Sequence, residues 1–336
     1  ATTKEPTTDD AVGPVPFKDS AGAVPIPAVS AIVSRPSDPK LWVRHFQGTW
    51  VLDAHLPGVV DICKGAFTPR RGDVLLSSPP KCGTTWLKAL AFATMARGVH
   101  PPGHAGHPLL RLNPHDCVPF LELLFAADAE QGSSKMDALP SPRLMATHMH
   151  HSLLPASISD NPDCKIVYIC REPKDMVVSL WHFARRTGLP DTSFSDVFEA
   201  ACKGMSVSGP FWDHVLGYWN ASKASPATVL FLRYEEMLRD PVGNVKKLAH
   251  FVGQPFSPAE EEAGVAMDVV RLCSFEKMKS LDVNKTGSRT AGPLGNDRYF
   301  RKGGVGDWEN HMTPDMARRL NAIVQGKLRG SGLSFA

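Results

Sequence analysis

The chain has 336 residues, 43% of them hydrophobic and 21% charged, which is typical of a globular protein with a sizeable buried core. Its 37 Lys and Arg residues nearly balance its 34 Asp and Glu residues, and the net charge of +3 argues against the broad basic face that nucleic-acid binding usually needs. Since no stretch approaches the roughly 20 apolar residues of a membrane span and residues 1–40 lack the apolar centre of a signal peptide, we expect a cytoplasmic protein without nucleic-acid or membrane partners.

The amino-terminal segment, residues 1–40, carries Glu5, Asp9 and Asp10 among many prolines, alanines, serines and threonines. This composition predicts a disordered tail rather than a transit peptide, followed by one domain over residues 41–336. The seven cysteines of the chain are scattered and lack paired close spacing. They therefore indicate free thiols in a reducing compartment rather than a disulfide framework or a zinc knuckle.

Residues 74–95 carry the most informative local pattern. A short apolar run ends at Ser78, two prolines follow, and apolar residues then recur at helical spacing from Trp86, so the pattern predicts a strand, a tight loop and a helix. Gly83 permits a sharp turn, and the hydroxyls of Thr84 and Thr85 are candidate caps for the helix. Backbone N–H groups at the helix start, with Lys81 beside them, would bind a phosphate or a sulfate.

This loop differs from the loops of two other classes of phosphate-binding enzyme. A Walker loop has its lysine after a second glycine, whereas Lys81 precedes the single glycine, which argues against a P-loop kinase. A cysteine phosphatase with Cys82 as its nucleophile would need an arginine six residues later, where Lys88 stands. A nucleotide-binding protein without catalytic activity is the third alternative, and a candidate base elsewhere in the chain argues against it.

Histidines follow in two places. The Pro- and Gly-rich segment 101–115 predicts a loop in which His104 and His107 are interpreted as solvated residues rather than a metal pair, because no carboxylate or thiolate accompanies them. Residues 143–147 predict a strand that delivers His148 to its end, where α/β enzymes place reacting groups. Any of His148, His150 and His151 is a candidate base near neutral pH.

The remaining pattern predicts an α/β fold, a single domain with a central parallel sheet flanked by helices. Buried strands are expected at residues 165–170 and 228–232, and helices at 242–252, 260–267 and from Pro314 to about residue 328. Arg171 follows the first of these strands, a position that is usually occupied by an ordinary ion pair. Residues 284–299 are polar and Gly-rich, so we expect a mobile loop there.

Several segments together resemble the cytosolic sulfotransferases. The run PKCGTTW at residues 80–86 is similar to the family's 5′-phosphosulfate-binding loop, and FRKGGVGDWEN at residues 300–310 is similar to its second signature. The Thr147-His148 step and the segment that begins at Arg171 also match the family's motifs, in the family's order. The resemblance extends from about residue 65 to the carboxyl terminus, and the loop cysteine is most similar to the plant branch.

The resemblance implies a P-loop-like sulfotransferase fold and an enzyme that moves a sulfuryl group from 3′-phosphoadenosine 5′-phosphosulfate (PAPS) to a hydroxyl, with no metal. His148 would be the base, and Lys81 would bridge the sulfuryl and 5′-phosphate oxygens. Arg171, Ser179 and the Arg301–Gly303 step would hold the 3′-phosphate, and Ser179 would also restrain Lys81. The cofactor-binding residues implied in this way are Lys81, Cys82, Gly83, Thr84, Thr85, Trp86, Arg171, Ser179, Tyr234, Ser274, Phe275, Arg301, Lys302 and Gly303.

The chain departs from the family pattern at two places. Ala146 stands where many members have a lysine two residues before the histidine, so any assistance from that lysine is missing. The carboxyl-terminal dimer motif of animal members is lost at residues 309–318, where Glu309, Pro314 and Arg318 replace its characteristic side chains. We therefore expect a monomer, or a weak dimer that does not use this motif.

The acceptor is expected to be a small hydrophobic alcohol or phenol. Segments 41–67, 101–117, 205–220 and 284–299 are predicted to line its pocket, and their aromatic and aliphatic residues suggest this chemistry. In the plant branch the candidates include flavonols, steroid hormones, hydroxyjasmonates and desulfoglucosinolates. No residue pattern selects among them.

Overall fold

The computed structural model describes residues 13–22, 43–288 and 295–335. In this part of the chain the strands are β1 (Val43–Phe46), β2 (Thr49–Leu52), β3 (Val74–Ser77), β4 (Leu144–Thr147), β5 (Lys165–Cys170) and β6 (Val229–Arg233). Strands β1 and β2 form an antiparallel hairpin, and the other four form a parallel sheet in the order β4–β3–β5–β6. The predicted α/β fold with a central parallel sheet is confirmed.

Helices cover both faces of the parallel sheet. Those before β5 are α1 (Phe17–Ala21), α2 (Leu56–Cys63), α3 (Thr84–Met95), α4 (Pro114–Cys117), α5 (Leu121–Ala127), α6 (Ala129–Asp137) and α7 (Ala156–Ser159). Those after β5 are α8 (Pro173–Arg186), α9 (Phe194–Cys202), α10 (Phe211–Ala224), α11 (Tyr234–Arg239), α12 (Pro241–Phe251), α13 (Pro258–Glu262), α14 (Val265–Leu272), α15 (Phe275–Ser280), α16 (Asp282–Lys285) and α17 (Pro314–Leu328). Short 3-10 helices are found at Asp53–His55, Pro108–Leu110, His151–Leu153, Asn296–Tyr299 and Asp307–Asn310.

The sheet separates two hydrophobic cores. Along β3, Leu75 belongs to one core, whereas its neighbours Val74 and Leu76 belong to the other. Tyr168 and Ile169 on β5 divide in the same way. Because successive side chains of a strand point to opposite faces, a strand covered by helices on both faces is apolar throughout, as these strands are.

A buried ion pair ties the starts of β3 and β4 together. The Arg143 guanidinium contacts the Asp73 carboxylate at 2.6 Å, and both side chains are fully buried. Arg143 also donates to the carbonyl oxygens of Thr68 at 2.9 Å and Met136 at 3.1 Å. These additional bonds satisfy a charge that would otherwise be costly to bury.

The amino-terminal segment differs from the predicted tail at residues 13–22. This stretch contains α1, and Phe17, only 1% exposed, belongs to the core. Asp19 in the same helix pairs with Arg111. Burial of the Phe17 ring therefore orders this stretch despite the polar residues around it. Residues 1–12 and 23–42 lie outside the described residues.

Two other predictions need correction. The predicted helix over residues 260–267 is interrupted: α13 ends at Glu262 and α14 begins at Val265, with Gly264 between them at a φ of +72°. His107 is not a solvated residue but is 1% exposed, with Nδ1 accepting from the Leu109 N–H at 3.2 Å. The helix predicted from Pro314 to residue 328 is confirmed, whereas the mobility predicted for residues 284–299 stays a prediction.

Two further features concern the cysteines and the helices of the described residues. All seven cysteines are free thiols, and six of them are buried. None of the described helices combines the length and the apolar character needed to cross a bilayer.

Candidate active site

The candidate site lies at the carboxyl edge of the parallel sheet. The register pairs Ser77 with Thr147 across β3 and β4, and Cys170 with Arg233 across β5 and β6. The residues that follow the four strands therefore meet at one edge, which is where open α/β sheets bind their ligands. This edge brings together the loop after β3, His148, Arg171 and Tyr234.

The loop after β3 has the shape expected of an anion cradle. Lys81 has a φ of +68° and Gly83 a φ of +100°, so the chain turns sharply twice before α3 begins at Thr84. A side chain at position 83 could not fit, because its Cβ would lie 2.7 Å from the Tyr234 ring. The glycine is therefore required both by conformation and by space.

The predicted capping role of Thr84 and Thr85 is wrong. The Thr84 hydroxyl lies 2.6 Å from that of Ser78, and the Thr85 hydroxyl lies 3.0 Å from Nε2 of His115. Gly83 is the N-cap residue, and within the described part of the chain no side chain caps the helix. The first N–H groups of this 12-residue helix therefore remain available for an anion.

Lys81 lies among positive charges. Burial, together with the charges of Arg171, Arg301, Arg298 and Arg186, lowers the pKa of Lys81 to about 7. Its ammonium group lies 3.9 Å from the centroid of the Phe183 ring. Ser179 is 9% exposed, and its predicted restraint of Lys81 stays a prediction. Such concentrated positive charge favours the binding of a polyanionic ligand.

Arg171 connects the two predicted phosphate loops. Its Nη2 donates to the Gly304 carbonyl at 2.7 Å, and its Nη1 is 3.4 Å from the Lys81 carbonyl oxygen. Its guanidinium group lies 4.7 Å from the centroid of the Tyr234 ring. Nε of Arg171 is buried and has no hydrogen-bond partner among the described residues. Arg171 is thus held in place while one donor remains unused.

The second loop places Arg301 and Lys302 on a shared carboxylate. Asp307 contacts Arg301 Nη1 at 2.5 Å and Lys302 Nζ at 2.6 Å. Burial opposes ionisation of Asp307, but the hydrogen bonds from Lys302 and Arg301 hold its pKa well below the ordinary value. Both cations would have to exchange this carboxylate, at least in part, for any phosphate that they bind.

Gly303 lies directly against the Phe275 ring. Its φ is +71°, and a Cβ at this position would lie 2.3 Å from Cγ of Phe275. Ser274 accepts a hydrogen bond from the Lys277 N–H at 3.3 Å, which caps α15 and fixes the neighbouring Phe275. On the other side of the site, the Trp86 and Tyr234 rings meet edge to face at 5.6 Å. Trp86, Tyr234, Ser274 and Phe275, four of the predicted cofactor-binding residues, are therefore held by their neighbours.

His148 has a defined tautomer. Its Nδ1 lies 2.7 Å from the Ser78 carbonyl oxygen, and because a carbonyl can only accept, Nδ1 carries the proton and Nε2 has the free lone pair. The Phe120 ring packs against the imidazole at 4.6 Å. Burial lowers the pKa of His148 to about 3, so the ring is neutral at pH 7.

A pocket opens beside His148. It is lined by Thr49, Trp50, Val51, Leu52, His55, Val59, Glu122, His148, Met149, His150, Leu153 and Ser208. The β1–β2 hairpin supplies one wall, as expected for segment 41–67, and Ser208 comes from the predicted segment 205–220. Segments 101–117 and 284–299 contribute no residue to this lining within the described residues.

The thiol of Cys82 is unsuited to act as a nucleophile. The residue is 0% exposed, and burial raises the pKa of its thiol far above the ordinary value. Since the thiolate is the reactive form, this environment argues against a phosphatase mechanism.

Comparison with known proteins agrees with the geometry. Residues 71–332 match the family model described as the sulfotransferase domain. The chain belongs to the sulfotransferase family. It is 42% identical over 311 residues to cytosolic sulfotransferase 5 of Arabidopsis thaliana, covering 90% of this chain and 95% of the relative. It is 43% identical over 295 residues to flavonol 3-sulfotransferase of Flaveria bidentis, covering 86% and 91% of the two chains.

Solved structures show the same fold. A crystal structure of an Arabidopsis thaliana sulphotransferase has a TM-score of 0.70 and 37% identity, covering 91% of this chain and 94% of the other. A mouse sulfotransferase complexed with PAP has a TM-score of 0.67 and 28% identity, covering 86% and 95%. The sulfotransferase described here is therefore an enzyme of the plant type.

Carboxylates that sequence reasoning missed organise the sulfotransferase site. Asp175 and Asp307 lie within segments that resemble the family's motifs, so the sequence contained a signal for both. Nothing in the sequence indicated Glu122, because its contact is with a residue distant in the chain. Glu122 Oε1 accepts from the His148 backbone N–H at 2.7 Å. Arg298, 8% exposed, was also missed. These groups hold the backbone of the site and set the local electrostatic field.

Asp175 should be important for the second loop. It is 1% exposed and accepts from the N–H groups of Gly306 at 2.7 Å and Trp308 at 3.0 Å. In Asp175→Asn an amide NH₂ would face one of these donors, so we expect the free energy of unfolding to fall by about 1–3 kcal/mol. Urea denaturation measures the loss, and Asp315→Asn, at an exposed carboxylate, is the control. Equal stabilities of the two variants would contradict the assignment.

Proposed function

We propose that this sulfotransferase moves the sulfuryl group of PAPS to a hydroxyl of a small, largely hydrophobic acceptor, with His148 as the base. The observation that carries this proposal is the placement of His148, which lines the pocket, donates from Nδ1 to Ser78 at the start of the anion loop, and keeps the Nε2 lone pair free. Nε2 takes the acceptor proton as the acceptor oxygen bonds to sulfur and the bond from sulfur to the 5′-phosphate oxygen breaks. Positioning and electrostatic stabilisation supply most of the acceleration, as in phosphoryl transfer.

The donor site is assigned by charge and shape. The backbone N–H groups after Gly83 and the Lys81 ammonium receive the 5′-phosphosulfate end. Arg171 lies between the two loops and, with Arg301 and Lys302, receives the 3′-phosphate; Ser179 and Gly303 complete this group. Trp86, Tyr234, Ser274 and Phe275 receive the adenosine. The PAP complex of the mouse relative supports PAPS as the donor.

The pocket lining indicates the chemical class of the acceptor. Trp50, Leu52, Val59, Met149 and Leu153 supply the apolar part of a pocket wall that is polar elsewhere, and the combination suits a small hydrophobic alcohol or phenol. The relative named flavonol 3-sulfotransferase makes plant phenols the first class to test, followed by steroid and jasmonate-like alcohols. No metal is assigned to this reaction.

The donor proposal is tested by calorimetric titration. Wild-type protein should bind PAP at micromolar concentration and bind adenosine 5′-monophosphate, which lacks the 3′-phosphate, far more weakly. In Arg301→Ala the advantage of PAP over the monophosphate should shrink, because the side chain that recognises the 3′-phosphate is gone. Arg318→Ala, at an arginine exposed on α17, should keep the full difference. Binding of ATP in preference to PAP would overturn the proposal.

The lowered pKa of Lys81 predicts the direction of the pH dependence of PAP affinity. Below about pH 7 the free enzyme already carries the charged ammonium. Above that pH, binding must first return a proton to Lys81, because the phosphate favours the charged form. Affinity should therefore fall as pH rises from 7 to 9, by at most about tenfold per pH unit. Titrations in Lys81→Met separate this effect from ionisation of the nucleotide, and identical slopes in both proteins would contradict it.

A further inference from the structure

Two imidazoles and a carboxylate converge beside the second loop. His182 lies on α8, while Asp307 and His311 lie at the start and just after the end of the last 3-10 helix. Their ligand atoms all lie within 4.8 Å of one another. The two histidines have no part in the proposed transfer, whereas Asp307 also holds Arg301 and Lys302. Phe183, the residue after His182, contacts Lys81.

Two of the distances within the cluster are close to those of a tetrahedral metal site. Nε2 of His182 is 3.5 Å from Nε2 of His311, which in turn is 3.7 Å from Oδ2 of Asp307. Zinc binds nitrogen and oxygen ligands at about 2.0–2.2 Å, which places neighbouring ligand atoms of a tetrahedron roughly 3.3–3.6 Å apart. The ligand atoms of the third pair, His182 and Asp307, lie within 4.8 Å of one another, so a rotation of these side chains would complete the set.

The two histidines are held by aromatic neighbours rather than free in solvent. Trp181 packs on His182 at 4.4 Å and on His311 at 5.5 Å, and Phe194 lies 6.4 Å from His311. The Asp307 side chain is 5% exposed and that of His311 is 26% exposed. A site that is preformed on rigid elements and open on one side can admit an ion at little conformational cost.

We propose that His182, Asp307 and His311 form a binding site for a divalent transition metal, with zinc as the best match to two imidazoles and one carboxylate. The fourth position would be left for water. Asp307 is shared between this site and the cations Arg301 and Lys302, so the metal competes with both of them for one carboxylate. The ion pairs should keep metal affinity modest in the free enzyme.

Because Asp307 is shared, metal binding should be coupled to nucleotide binding, a prediction that rests on the proposed function. A 3′-phosphate that engages Arg301 and Lys302 would draw them from Asp307 and leave its oxygens to the metal. Metal binding should then be about fivefold or more tighter with PAP present, and by linkage the metal should tighten PAP binding by the same factor.

Cobalt(II) is the probe that reports coordination directly. Untagged wild-type protein titrated with Co²⁺ in a buffer without chelators should develop the visible absorption of one tetrahedral ion, without the thiolate charge-transfer band that a cysteine ligand would give. His182→Gln and His311→Gln should each abolish this absorption, whereas His250→Gln, which removes an exposed histidine of α12, should retain it. Anomalous diffraction at the zinc edge, from wild-type crystals grown with zinc, locates the ion without any variant.

The outcomes separate the metal site from the nucleotide site. Tetrahedral absorption that depends on both histidines, or an anomalous peak between them, supports the proposal. Absence of the absorption, or its persistence in both glutamine variants, overturns it, as does an anomalous peak elsewhere only. If PAP fails to bind while cobalt binds in this way, the donor assignment is overturned and the metal site is supported.

Discussion

Replacing His148 with alanine should lower turnover by about 10²- to 10⁴-fold, the usual contribution of a general base. PAP binding should stay within a few-fold of wild type, because the donor residues lie on other loops. The acceptor hydroxyl would keep its pocket but lose the lone pair that takes its proton. Initial rates with PAPS and a panel of phenols and alcohols, together with PAP calorimetry, measure the two effects separately.

The environment of His148 explains why the neutral ring is the working form. Burial lowers its pKa to about 3, and the hydrogen bond to the Ser78 carbonyl opposes this lowering in part. From pH 8 down to pH 5 the ring therefore stays unprotonated, so acidification in this range should not remove the base. Negative charge from a bound donor would raise the pKa of the ring and make Nε2 a stronger base.

His151→Ala is the matched control for His148→Ala. His151 lies three residues further along the chain and packs on Tyr218 at 5.3 Å instead of lining the pocket. Its replacement should leave turnover within about tenfold of wild type once stability has been checked by thermal melting. If His148→Ala turns over as well as His151→Ala, the base has been misassigned.

The parts of the site that could be predicted are those encoded locally. Gly83 is required in the loop because of its backbone conformation and its close contact with Tyr234. Together with its neighbours it forms a motif of consecutive residues. The end of β4 likewise delivers His148 from a short apolar run. The loop motif and the end of the strand each consist of residues adjacent in the chain, so local pattern was sufficient to place them. The choice of His148 among three histidines came from the family resemblance, and the contact of Gly83 with Tyr234 came only from the fold.

The parts that could not be predicted depend on tertiary contacts. Phe17 is buried against a core whose other members are distant in sequence, so the polar composition around it indicated a tail. Thr85 turns to His115, 30 positions away, instead of capping its own helix. The partner of the His148 backbone, Glu122, is separated from it by 26 positions. No periodicity or residue spacing in the sequence indicates such pairs.

Lys81→Met should give the second large effect, a loss of about 10²- to 10³-fold in kcat. This is the usual cost of removing one preorganised group that stabilises the negative charge of the transition state. Methionine keeps the apolar stem that lies near Phe183 and removes only the ammonium. Backbone strain is unchanged, because both residues would occupy the same left-handed conformation with a φ of +68°.

The same variant should be at least as stable as wild type. The sign of this difference in the free energy of unfolding distinguishes a functional cation from a structural one. A lysine whose pKa is lowered to about 7 in the folded protein is disfavoured there in its charged form. That cost is fully present below pH 7 and is relieved as pH rises toward the unfolded value of about 10.4. Urea denaturation at pH 6 should therefore show Lys81→Met equal to or above wild type, with Lys203→Met, at an exposed position, as the control. A variant that is both inactive and clearly less stable at pH 6 would mean that Lys81 supports the fold, and the loss of activity would then say nothing about the transferred group.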